Sequence, residues 1–440
     1  MTKRDHIGIV GLAMALVGLS QLGCGDTSKN GAMNPAQAGT ATGGNAGAAN
    51  SAGSATLSNG GTANANGGAQ CVDSQGQAPG SVDTTFGKDG TATLIADLPS
   101  DGNEDIFRSL IRANNGELFA MTESGNSCAL FKLDENGKPV TTFGNQGRAD
   151  YAFKLSGYCL DLSVDTQGRV LLAGTNLDDA LIARFTATGT LDTTFGAEGT
   201  VTLDLGSNND RFGALIVRAD ESLAAVGTAN SNAPIVDNFV ALFGADGALL
   251  GGKPVALDVG AGRQFTAALA ELTDHSLLVL GENQTSSSAF FSELDANGAP
   301  VPSFGQAGWQ RSADKSFGGV FSLLLNGDQA TGWGFAPSYQ VARFGSDGSY
   351  SLFTMDKSVS PMSVAPECDG KLIVSGMGPD VNGALARLSA DGSLDSSFAP
   401  HSWPKGDKGS QANRVLLQSD GRILVGGNDG GRPFVARFWP

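Results

Sequence analysis

The sequence predicts an all-β fold, a seven-bladed β-propeller of four-stranded antiparallel blades. A short phrase carries the first observation: SVDTTFGKDG at 81–90 returns as LDTTFGAEGT at 191–200, and in varied form at 301–310 and 393–402. Apolar segments and turn signals alternate between these phrases about every 8–12 residues, which is typical of an antiparallel meander. The composition agrees, because 63 glycines and only 16% charged residues in a 440-residue chain indicate many tight turns between short buried strands.

Two further segments recur seven times each between residues 81 and 440. The first is a hairpin signal, a polar turn followed by an apolar strand, at 114–121, 166–174, 219–227, 273–281, 325–332, 368–376 and 419–427. The second is a short apolar strand, at 128–133, 181–185, 239–243, 289–294, 340–344, 384–388 and 434–438. Seven copies give about 51 residues per repeat, and a four-stranded unit repeated at this period predicts a propeller over residues 71–440.

Residues 158–204 show how one repeat is built. LDLSV (160–164) is the first strand, VLLAG (170–174) the second, LIARF (181–185) the third, and the stretch from LDTTFG onward holds the fourth. By the strand order of other propellers with such a hairpin, the first strand is innermost, so segments such as 162–164 are expected to line the channel. The fourth strand is outermost. Residues 81–96 would then complete the last blade and remove its open edge.

The repeated phrase is interpreted as a joint between blades. Its aspartates can cap backbone N–H groups in a turn, its phenylalanines bury a large ring between neighbouring blades, and its glycines allow a positive φ. The aspartates are Asp83, Asp192 and Asp395; the phenylalanines Phe86, Phe143, Phe195, Phe304 and Phe398; the glycines Gly87, Gly144, Gly196 and Gly305. One carboxylate per phrase is too few for a calcium loop, so the phrase is structural.

These motifs resemble a known family. The run LIARFTATGTLDTTFG (181–196), together with hairpins such as CDGKLIVSG (368–376), is similar to the delta-60 repeat, a bacterial β-propeller repeat of secreted and envelope proteins. The resemblance covers about residues 81–440. The phrase is lost around 248–253 and 349–353, which puts those two joints in doubt. The family has no shared catalytic residues to transfer to this chain.

The first 23 residues are predicted to be an export signal. Lys3 and Arg4 precede an uncharged apolar run from Ile7 to Leu19, which is too short to span a bilayer comfortably. The run ends in QLGCGD, which resembles the lipobox of bacterial lipoproteins, although Gln21 replaces the usual branched residue. Cys24 is therefore the expected lipid attachment site. An ordinary secretory signal cleaved nearby remains the alternative.

Residues 24–70 are predicted to be a flexible tether. All but seven of residues 25–70 are Gly, Ala, Ser, Thr or Asn. Such a chain cannot bury enough apolar surface to offset its ordering entropy, and as a coil it would reach roughly 35–40 Å. Together with the lipid anchor, the tether predicts an exported cell-envelope lipoprotein, at the outer membrane or cell surface. The net charge of −16 excludes nucleic acid as a partner.

The sequence offers little for catalysis. Apart from His6 in the signal, histidine occurs only at His275 in a hairpin turn and His401 in a loop, so a three-histidine metal site is impossible. No G-x-S-x-G motif is present, and the loop of His401 and the channel mouth are where any catalytic group is expected. The acidic stretches 100–105, 176–180 and 207–210 could bind Ca²⁺, but solvated loop carboxylates are the preferred interpretation. We expect no catalytic residues, cofactor or metal.

The four cysteines besides Cys24 predict two disulfides, with three possible connectivities. The preferred pairs are Cys128–Cys159 and Cys71–Cys368, because the two members of each pair lie in neighbouring blades of the expected ring.

A binding face is predicted from the loops. The hairpin turns and the turns before LDTTFG are stereotyped and lie on one face, whereas the loops on the other face differ in every unit. Varied loops on a rigid scaffold are a common place for binding, although these loops could also vary without function. The candidate residues are Asp105, Asp178, Asp179, Asp210 and the expected exposed aromatics Trp333 and Trp403.

Two functions follow as hypotheses. The first is a membrane-tethered binding or scaffolding module for a carbohydrate or a basic protein partner, since carboxylates with aromatic rings suit such ligands. The alternative is a propeller-type hydrolase or lyase acting on a carbohydrate or lactone. Convergent acid/base residues at the channel mouth would favour the enzyme, and a mouth lined by small or apolar residues the binding module.

Overall fold

The computed structural model describes residues 74–94, 105–153, 156–206, 209–229, 237–260, 262, 264–312, 319–326, 329–336, 340–347, 349–354, 359–367, 369–378, 382–403 and 409–440. Within these residues the chain forms seven four-stranded sheets whose paired strands are antiparallel, together with one short 3-10 turn at Leu250–Gly252. The predicted fold class, a seven-bladed propeller, is therefore confirmed. The predicted signal and tether lie outside the described residues.

The strands follow one another blade by blade. The first of them, β1, is Thr91–Thr93. Blade 1 then holds β2 (Ile106–Arg112), β3 (Leu118–Ser124), β4 (Ser127–Leu133) and β5 (Arg148–Ala152). Blade 2 holds β6 (Gly157–Val164), β7 (Val170–Asn176), β8 (Asp179–Phe185) and β9 (Thr200–Leu203). Blade 3 holds β10 (Arg211–Val217), β11 (Leu223–Ala229), β12 (Asp237–Phe243) and β13 (Val255–Leu257).

The remaining four blades repeat the pattern. Blade 4 holds β14 (Gln264–Glu271), β15 (Leu277–Asn283), β16 (Ser288–Leu294) and β17 (Trp309–Arg311). Blade 5 holds β18 (Gly319–Asn326), β19 (Gln329–Ala336), β20 (Gln340–Gly345) and β21 (Tyr350–Thr354). Blade 6 holds β22 (Ser360–Pro366), β23 (Leu372–Met377), β24 (Gly383–Leu388) and β25 (His401–Ser402). Blade 7 holds β26 (Ser410–Leu417), β27 (Ile423–Asp429) and β28 (Arg432–Phe438).

The first strand of each blade is innermost, as predicted. Each of these strands contacts the first strands of both neighbouring blades, so that the seven of them close a ring around the channel. Within β6, Leu162 packs in the apolar cluster between blades 1 and 2 and Ser163 is buried, whereas Tyr158 and Leu160 near its start are partly accessible.

The ring is closed by the N-terminal strand, as predicted. β1 pairs with β28 as the fourth strand of blade 7, with Thr91 opposite Ala436 and Thr93 opposite Phe434. Val82 adds an isolated bridge to Phe438. Within the described part of the predicted span, residues 81–94, the strand is limited to Thr91–Thr93 because residues 83–90 form turns. Blade 7 therefore exposes no unpaired edge at β28.

The two ends of the ring differ, and we name them by the turns they carry. The joint face carries the hairpins between first and second strands and the turns between third and fourth strands. The variable face carries the loops between second and third strands and the connections from each fourth strand to the next blade. Backbone bonds join the two loop classes of the variable face, as when Asp210 N donates to Asp178 O at 2.7 Å.

The core lies between the sheets in separate apolar clusters. Phe86 packs with residues of blades 7 and 1, Phe143 with blades 1 and 2, and Phe195 with blades 2 and 3. Phe304 and Phe398 occupy the same place at later joints. Blades 3 and 5 lack the repeated phrase, yet each still forms four strands. In the described part of the chain no helix is long and apolar enough to cross a bilayer.

Candidate functional site

The joint face repeats one cluster built from Arg, Asp and Phe. In blade 2, Asp192 Oδ1 accepts bonds from the amide and hydroxyl of Thr194 at 3.1 and 2.6 Å. Its Oδ2 accepts the Nε–H of Arg184 at 2.8 Å, and the guanidinium lies 4.5 Å from the centre of the Phe195 ring. Arg184 Nη1 also donates to the Ala245 carbonyl of blade 3. The cluster therefore fastens one blade to the next.

The glycine after the phenylalanine extends this fastening. Gly196 N donates to the Asp246 carbonyl of the next blade at 2.8 Å, and its φ is 52°. A Cβ at this position would come within 2.2 Å of the Thr200 carbonyl oxygen. Gly87, Gly144 and Gly305 share the positive φ. The interpretation of the repeated phrase as an inter-blade joint is confirmed.

The same cluster recurs with Arg387, Asp395 and Phe398, and with Arg437, Asp83 and Phe86. Although burial alone would raise the pKa of these carboxyls, hydrogen bonds from the following Ser or Thr and the nearby arginine lower it. The pKa of Asp395 falls to about 2. These aspartates are held as paired anions, so the joint face offers no free general acid among them.

The joint between blades 3 and 4 lost the motif and uses another pair. Arg218, the residue directly after β10, donates Nε to Glu271 Oε1 at 3.1 Å and Nη1 to the Ala296 carbonyl of blade 4 at 3.1 Å. Ala296 holds the turn position that Ala245 holds one blade earlier. An arginine that follows the innermost strand thus replaces the missing arginine of the third strand.

The predicted disulfide Cys128–Cys159 is confirmed. It joins β4 of blade 1 to β6 of blade 2, with a Cα–Cα distance of 6.5 Å. Both cysteines are fully buried between the two blades. Cys71 and Cys368, the second predicted pair, and the predicted lipid site Cys24 lie outside the described residues.

Neither histidine lies at the channel entrance. His275 occupies a hairpin turn of the joint face with φ 68°, a side chain 60% exposed, and Nδ1 3.2 Å from Glu271 Oε1. His401 starts the outer strand β25, where it packs against Trp403 and Phe438, and burial lowers its pKa. In the described residues no group of three His, Cys, Asp or Glu comes together as metal ligands.

The predicted acidic residues do lie at the variable face. Asp178 is exposed, and Asp179 is partly buried with its pKa raised by burial and by the charges of Asp204, Asp210 and Asp178. Asp210 is fully buried, and its Oδ2 accepts the Leu205 N–H at 2.9 Å, so this carboxylate holds the loop. The Asp105 carbonyl accepts a bond from Asn428 Nδ2 of blade 7 at 2.8 Å.

The prediction that Trp333 and Trp403 are exposed was wrong. Trp333 lies in β19, not in a loop, is 4% exposed and stacks on Phe353 with ring centres 6.0 Å apart. Trp403 is 7% exposed and stacks on Phe434 of blade 7 at 5.1 Å. Both rings belong to the apolar packing between blades.

The sequence reasoning missed a feature common to every innermost strand. Each contains a β-bulge at the same place, and bulges re-aim side chains next to functional sites. The residue two positions before each bulge lies near the variable face. We call these the entrance residues; those with described side chains are Ile106, Tyr158, Arg211, Phe265, Ser360 and Gln411.

The entrance residues keep accessible surface although their strands are enclosed. An innermost strand is covered by the second strand of its own blade and by the two adjacent blades, so accessible surface near its start faces the channel mouth or the variable face. Ile106 is 43% exposed, and the other five are partly exposed. Phe265 is one of these five, although both of its neighbours in the strand are buried. Only the bulges, which depend on strand register, identify these positions as a set.

Two contacts define the charge at the entrance. Arg108, at the bulge of β2, forms a two-point pair with Glu123, with Nε–Oε2 at 3.1 Å and Nη2–Oε1 at 3.0 Å. Arg211 of blade 3 lies over the Phe265 ring of blade 4 at 5.0 Å, and its Nε donates to Thr228 Oγ1 at 3.1 Å. Below the entrance, burial lowers the pKa of Arg414 to about 10, while the charge of Asp161 opposes that shift.

The sequence profile of a family described as "Domain of unknown function (DUF5122) beta-propeller" matches residues 168–195, 369–398 and 418–440. Each matched stretch begins near a hairpin turn of the joint face. The first two stretches end in the joint phrase of their repeat, and the third ends after the third strand of blade 7. These three stretches are therefore similar to parts of that β-propeller family. No curated protein matches the chain in sequence.

Solved structures share the fold at low identity. One is an inactive variant of virginiamycin B lyase from Staphylococcus aureus with quinupristin, at 12% identity and a TM-score of 0.51, covering 78% of this chain and 97% of the lyase. Another is the Dos1 propeller, at 11% identity and a TM-score of 0.44, covering 76% and 77%. A glucose dehydrogenase has 14% identity and a TM-score of 0.38, covering 62% and 95%. The likeness to the lyase shows the fold alone.

Proposed function

We propose that this protein is a binding module of the cell envelope whose ligand site is the channel entrance on the variable face. One observation carries the proposal. The seven innermost strands share a bulge at one register, yet the entrance residue before it changes chemistry from blade to blade, from Ile106 to Tyr158, Arg211 and Gln411. A rigid repeated frame with a non-repeated set of side chains suits recognition of one asymmetric ligand.

The entrance residues support a binding role over the hydrolase or lyase alternative. They are apolar, aromatic, amide, hydroxyl or arginine side chains, and none is a histidine or carboxylate. Glu123, which reaches Arg108 nearby, is already held in its two-point ion pair and accepts the Cys159 N–H at 3.1 Å. General acid/base catalysis needs a proton-transfer group within hydrogen-bond reach of the substrate. The likeness to a lyase is one of fold and adds no such group.

The location follows from the first 70 residues. We propose that Cys24 carries a lipid after removal of the leader, and that residues 24–70 tether the propeller to the membrane. A tether of roughly 35–40 Å would leave the propeller free to turn its variable face toward envelope polymers. The ligand is then a carbohydrate or a protein of the envelope, and the joint face is left to hold the ring together.

The test combines location with binding. In cells, wild type should fractionate with membranes and Cys24→Ser should not. The purified full-length protein is then titrated by biolayer interferometry against a panel of envelope glycans and envelope proteins. Tyr158→Ala should weaken any binding at least tenfold, because it removes an entrance side chain without emptying a core position. Gln167→Ala lies in the same blade on the joint face and should bind as wild type does. Equal loss in both variants, or no loss in either, would overturn the entrance assignment.

A further inference from the structure

We infer that the entrance binds an oligosaccharide that ends in a sugar acid, a terminal sugar with one carboxylate. The inference rests on the proposed function, because it names the ligand class of the same entrance. It is carried by the geometry of Arg211 and Phe265 and by the polar side chains of blades 6 and 7.

Arg211 is held in place, but not all of its hydrogen-bond donors are used. The Phe265 ring supports its guanidinium from the next blade at 5.0 Å, and Thr228 Oγ1 accepts only its Nε–H. No carboxylate in the described residues pairs with it. Thr228 is buried, so the anchor is fixed. A guanidinium fixed at one nitrogen and stacked on a ring presents its two remaining nitrogens as a planar fork, the geometry that binds a carboxylate through two parallel bonds.

The flanking blades supply flat apolar surface beside this fork. Tyr158 of blade 2 and Phe265 of blade 4 occupy the same register on either side of Arg211. An aromatic ring offers an apolar face that packs on the C–H face of a sugar, and tyrosine adds a hydroxyl for a polar contact. A carboxylate bound to Arg211 would therefore bring its sugar ring toward Tyr158, while Phe265 supports the guanidinium from the next blade.

The opposite arc is polar and uncharged. Ser360 of blade 6 and Gln411 of blade 7 are entrance residues, and Asn413 occupies the bulge of β26. Asn413 Nδ2 donates to Gln411 Oε1 at 3.4 Å, whereas Asn413 Oδ1 is buried with no hydrogen-bond partner in the described structure. Ser360 and Gln411 are partly accessible, so this arc offers uncharged hydrogen-bonding groups of the kind that suit sugar hydroxyls.

The charges around the entrance limit the ligand to a single acidic group. Asp178, Asp179 and Asp204 lie at the rim near blades 2 and 3, and the whole chain has a net charge of −16. Glu282 lies opposite Phe265 in the sheet and accepts a bond from Gln284 Nε2 at 2.9 Å. A polyanion would meet these carboxylates as it approached, but a single terminal carboxylate can reach Arg211, which pairs with no carboxylate in the described residues.

The test compares one acidic disaccharide with its neutral form. Full-length protein is titrated by calorimetry with a disaccharide ending in glucuronic acid and with the methyl ester of the same molecule. The acid should bind about tenfold to a hundredfold more tightly than the ester, the range expected for charge-assisted hydrogen bonds. Arg211→Gln should remove this preference, and Arg211→Lys should keep only part of it because lysine lacks the planar fork. Arg432→Gln is the matched control, an exposed arginine of the same face at the start of a third strand.

Each outcome decides the inference separately from the proposed function. Equal binding of acid and ester, weakened for both by Tyr158→Ala, overturns the sugar-acid inference and leaves the entrance as a binding site. Loss of the preference in Arg432→Gln as well as in Arg211→Gln, or no binding of either disaccharide, overturns the inference too. If a peptide with a free C-terminal carboxylate binds tightly and neither disaccharide binds, the guanidinium of Arg211 binds a protein ligand. That result also overturns the sugar-acid inference. Thermal melting of each variant checks that the fold is retained.

Discussion

Asp83 and Arg437 are joined by an ion pair of 2.7 Å between Oδ2 and Nε, across 354 residues of sequence. Both side chains are only 1% exposed. Arg437 belongs to the last strand, and Asp83 to the turn that precedes the closing strand β1. In other blades an equivalent Asp–Arg pair forms within a single blade. Here the pair connects the two ends of the propeller.

The first prediction concerns this pair. Asp83→Asn leaves the Arg437 charge buried without its anion, and removing one partner of a buried pair costs about 3–5 kcal/mol of the free energy of unfolding. Urea unfolding followed by circular dichroism measures the loss. Asp391→Asn is the control, because Asp391 caps a similar turn but is exposed, and its unfolding midpoint should stay close to wild type. Equal midpoints for the two variants would refute the role of the pair in closure.

The second prediction concerns the closing strand itself. A chain that begins at residue 98 lacks β1 and the Asp83 turn, so the edge of β28 is left unpaired. It should aggregate or lose its cooperative thermal transition. A chain that begins at residue 74 retains both features and should melt cooperatively. If the shorter chain melts as the longer one does, β1 does not close the ring.

The third prediction separates backbone conformation from space. Gly196 and Gly206 both have a positive φ, at 52° and 76°. A Cβ at Gly196 meets the Thr200 carbonyl at 2.2 Å, whereas nothing lies within 4 Å of one at Gly206. Gly206→Ala should therefore cost about 1 kcal/mol, from conformation alone, and Gly196→Ala about 3 kcal/mol because the clash adds to it. Denaturant titrations of both variants measure the difference, and a larger cost at Gly206 would contradict the joint geometry.

The fourth prediction concerns acid. The pKa of Asp395 is lowered from 3.8 to about 2 by bonds from Ser397 and by Arg387, in spite of burial. A carboxyl with a depressed folded-state pKa stabilises the fold above its unfolded pKa, and that stability is lost as pH falls through the folded value. Urea midpoints should therefore fall between about pH 4 and pH 2. Asp395→Asn should be less stable at pH 6 and should show a shallower acid decline. An identical decline would mean that the pair does not contribute.

The fifth prediction concerns the disulfide. Cys128 and Cys159 are 31 residues apart, and a bridge closing a loop of that size contributes about 2–4 kcal/mol to stability. The double variant Cys128→Ala/Cys159→Ala should lose about that amount relative to oxidised wild type. Dithiothreitol should destabilise wild type by reducing this bridge. The double variant lacks the bridge and should not lose stability in this way. Non-reducing peptide mapping checks the pair directly and also tests the predicted Cys71–Cys368 bridge.

The ring and its joints could be predicted because they repeat. The Asp, Phe and Gly of the phrase occur in several copies, so their shared role could be inferred before any contact was known. The Cys128–Cys159 pair followed from the same repeat, since it placed the two residues in neighbouring blades. Arg218 and Glu271 could not be predicted in this way, because their pair occurs at a joint from which the repeat signal is absent.

The candidate site was harder to predict because its residues do not repeat. Trp333 was expected in a loop, but glycines on both sides of it conceal the alternation of β19, and its ring packs between blades. The entrance residues depend on a bulge, and a bulge is a property of strand pairing that a single strand's sequence does not reveal. Arg211 and Phe265 are 54 residues apart, and only the closed ring brings them into contact.

Hydrogen–deuterium exchange of the full-length protein, with and without the tightest-binding glycan of the envelope panel, tests the central claim most directly. The account predicts slower exchange at the starts of the innermost strands, in peptides that cover 157–160, 211–213 and 264–267, with no change at the hairpin turns 114–117, 166–169 and 419–422. Protection confined to those hairpin turns, with the entrance peptides unchanged, would place the ligand on the joint face and contradict the account.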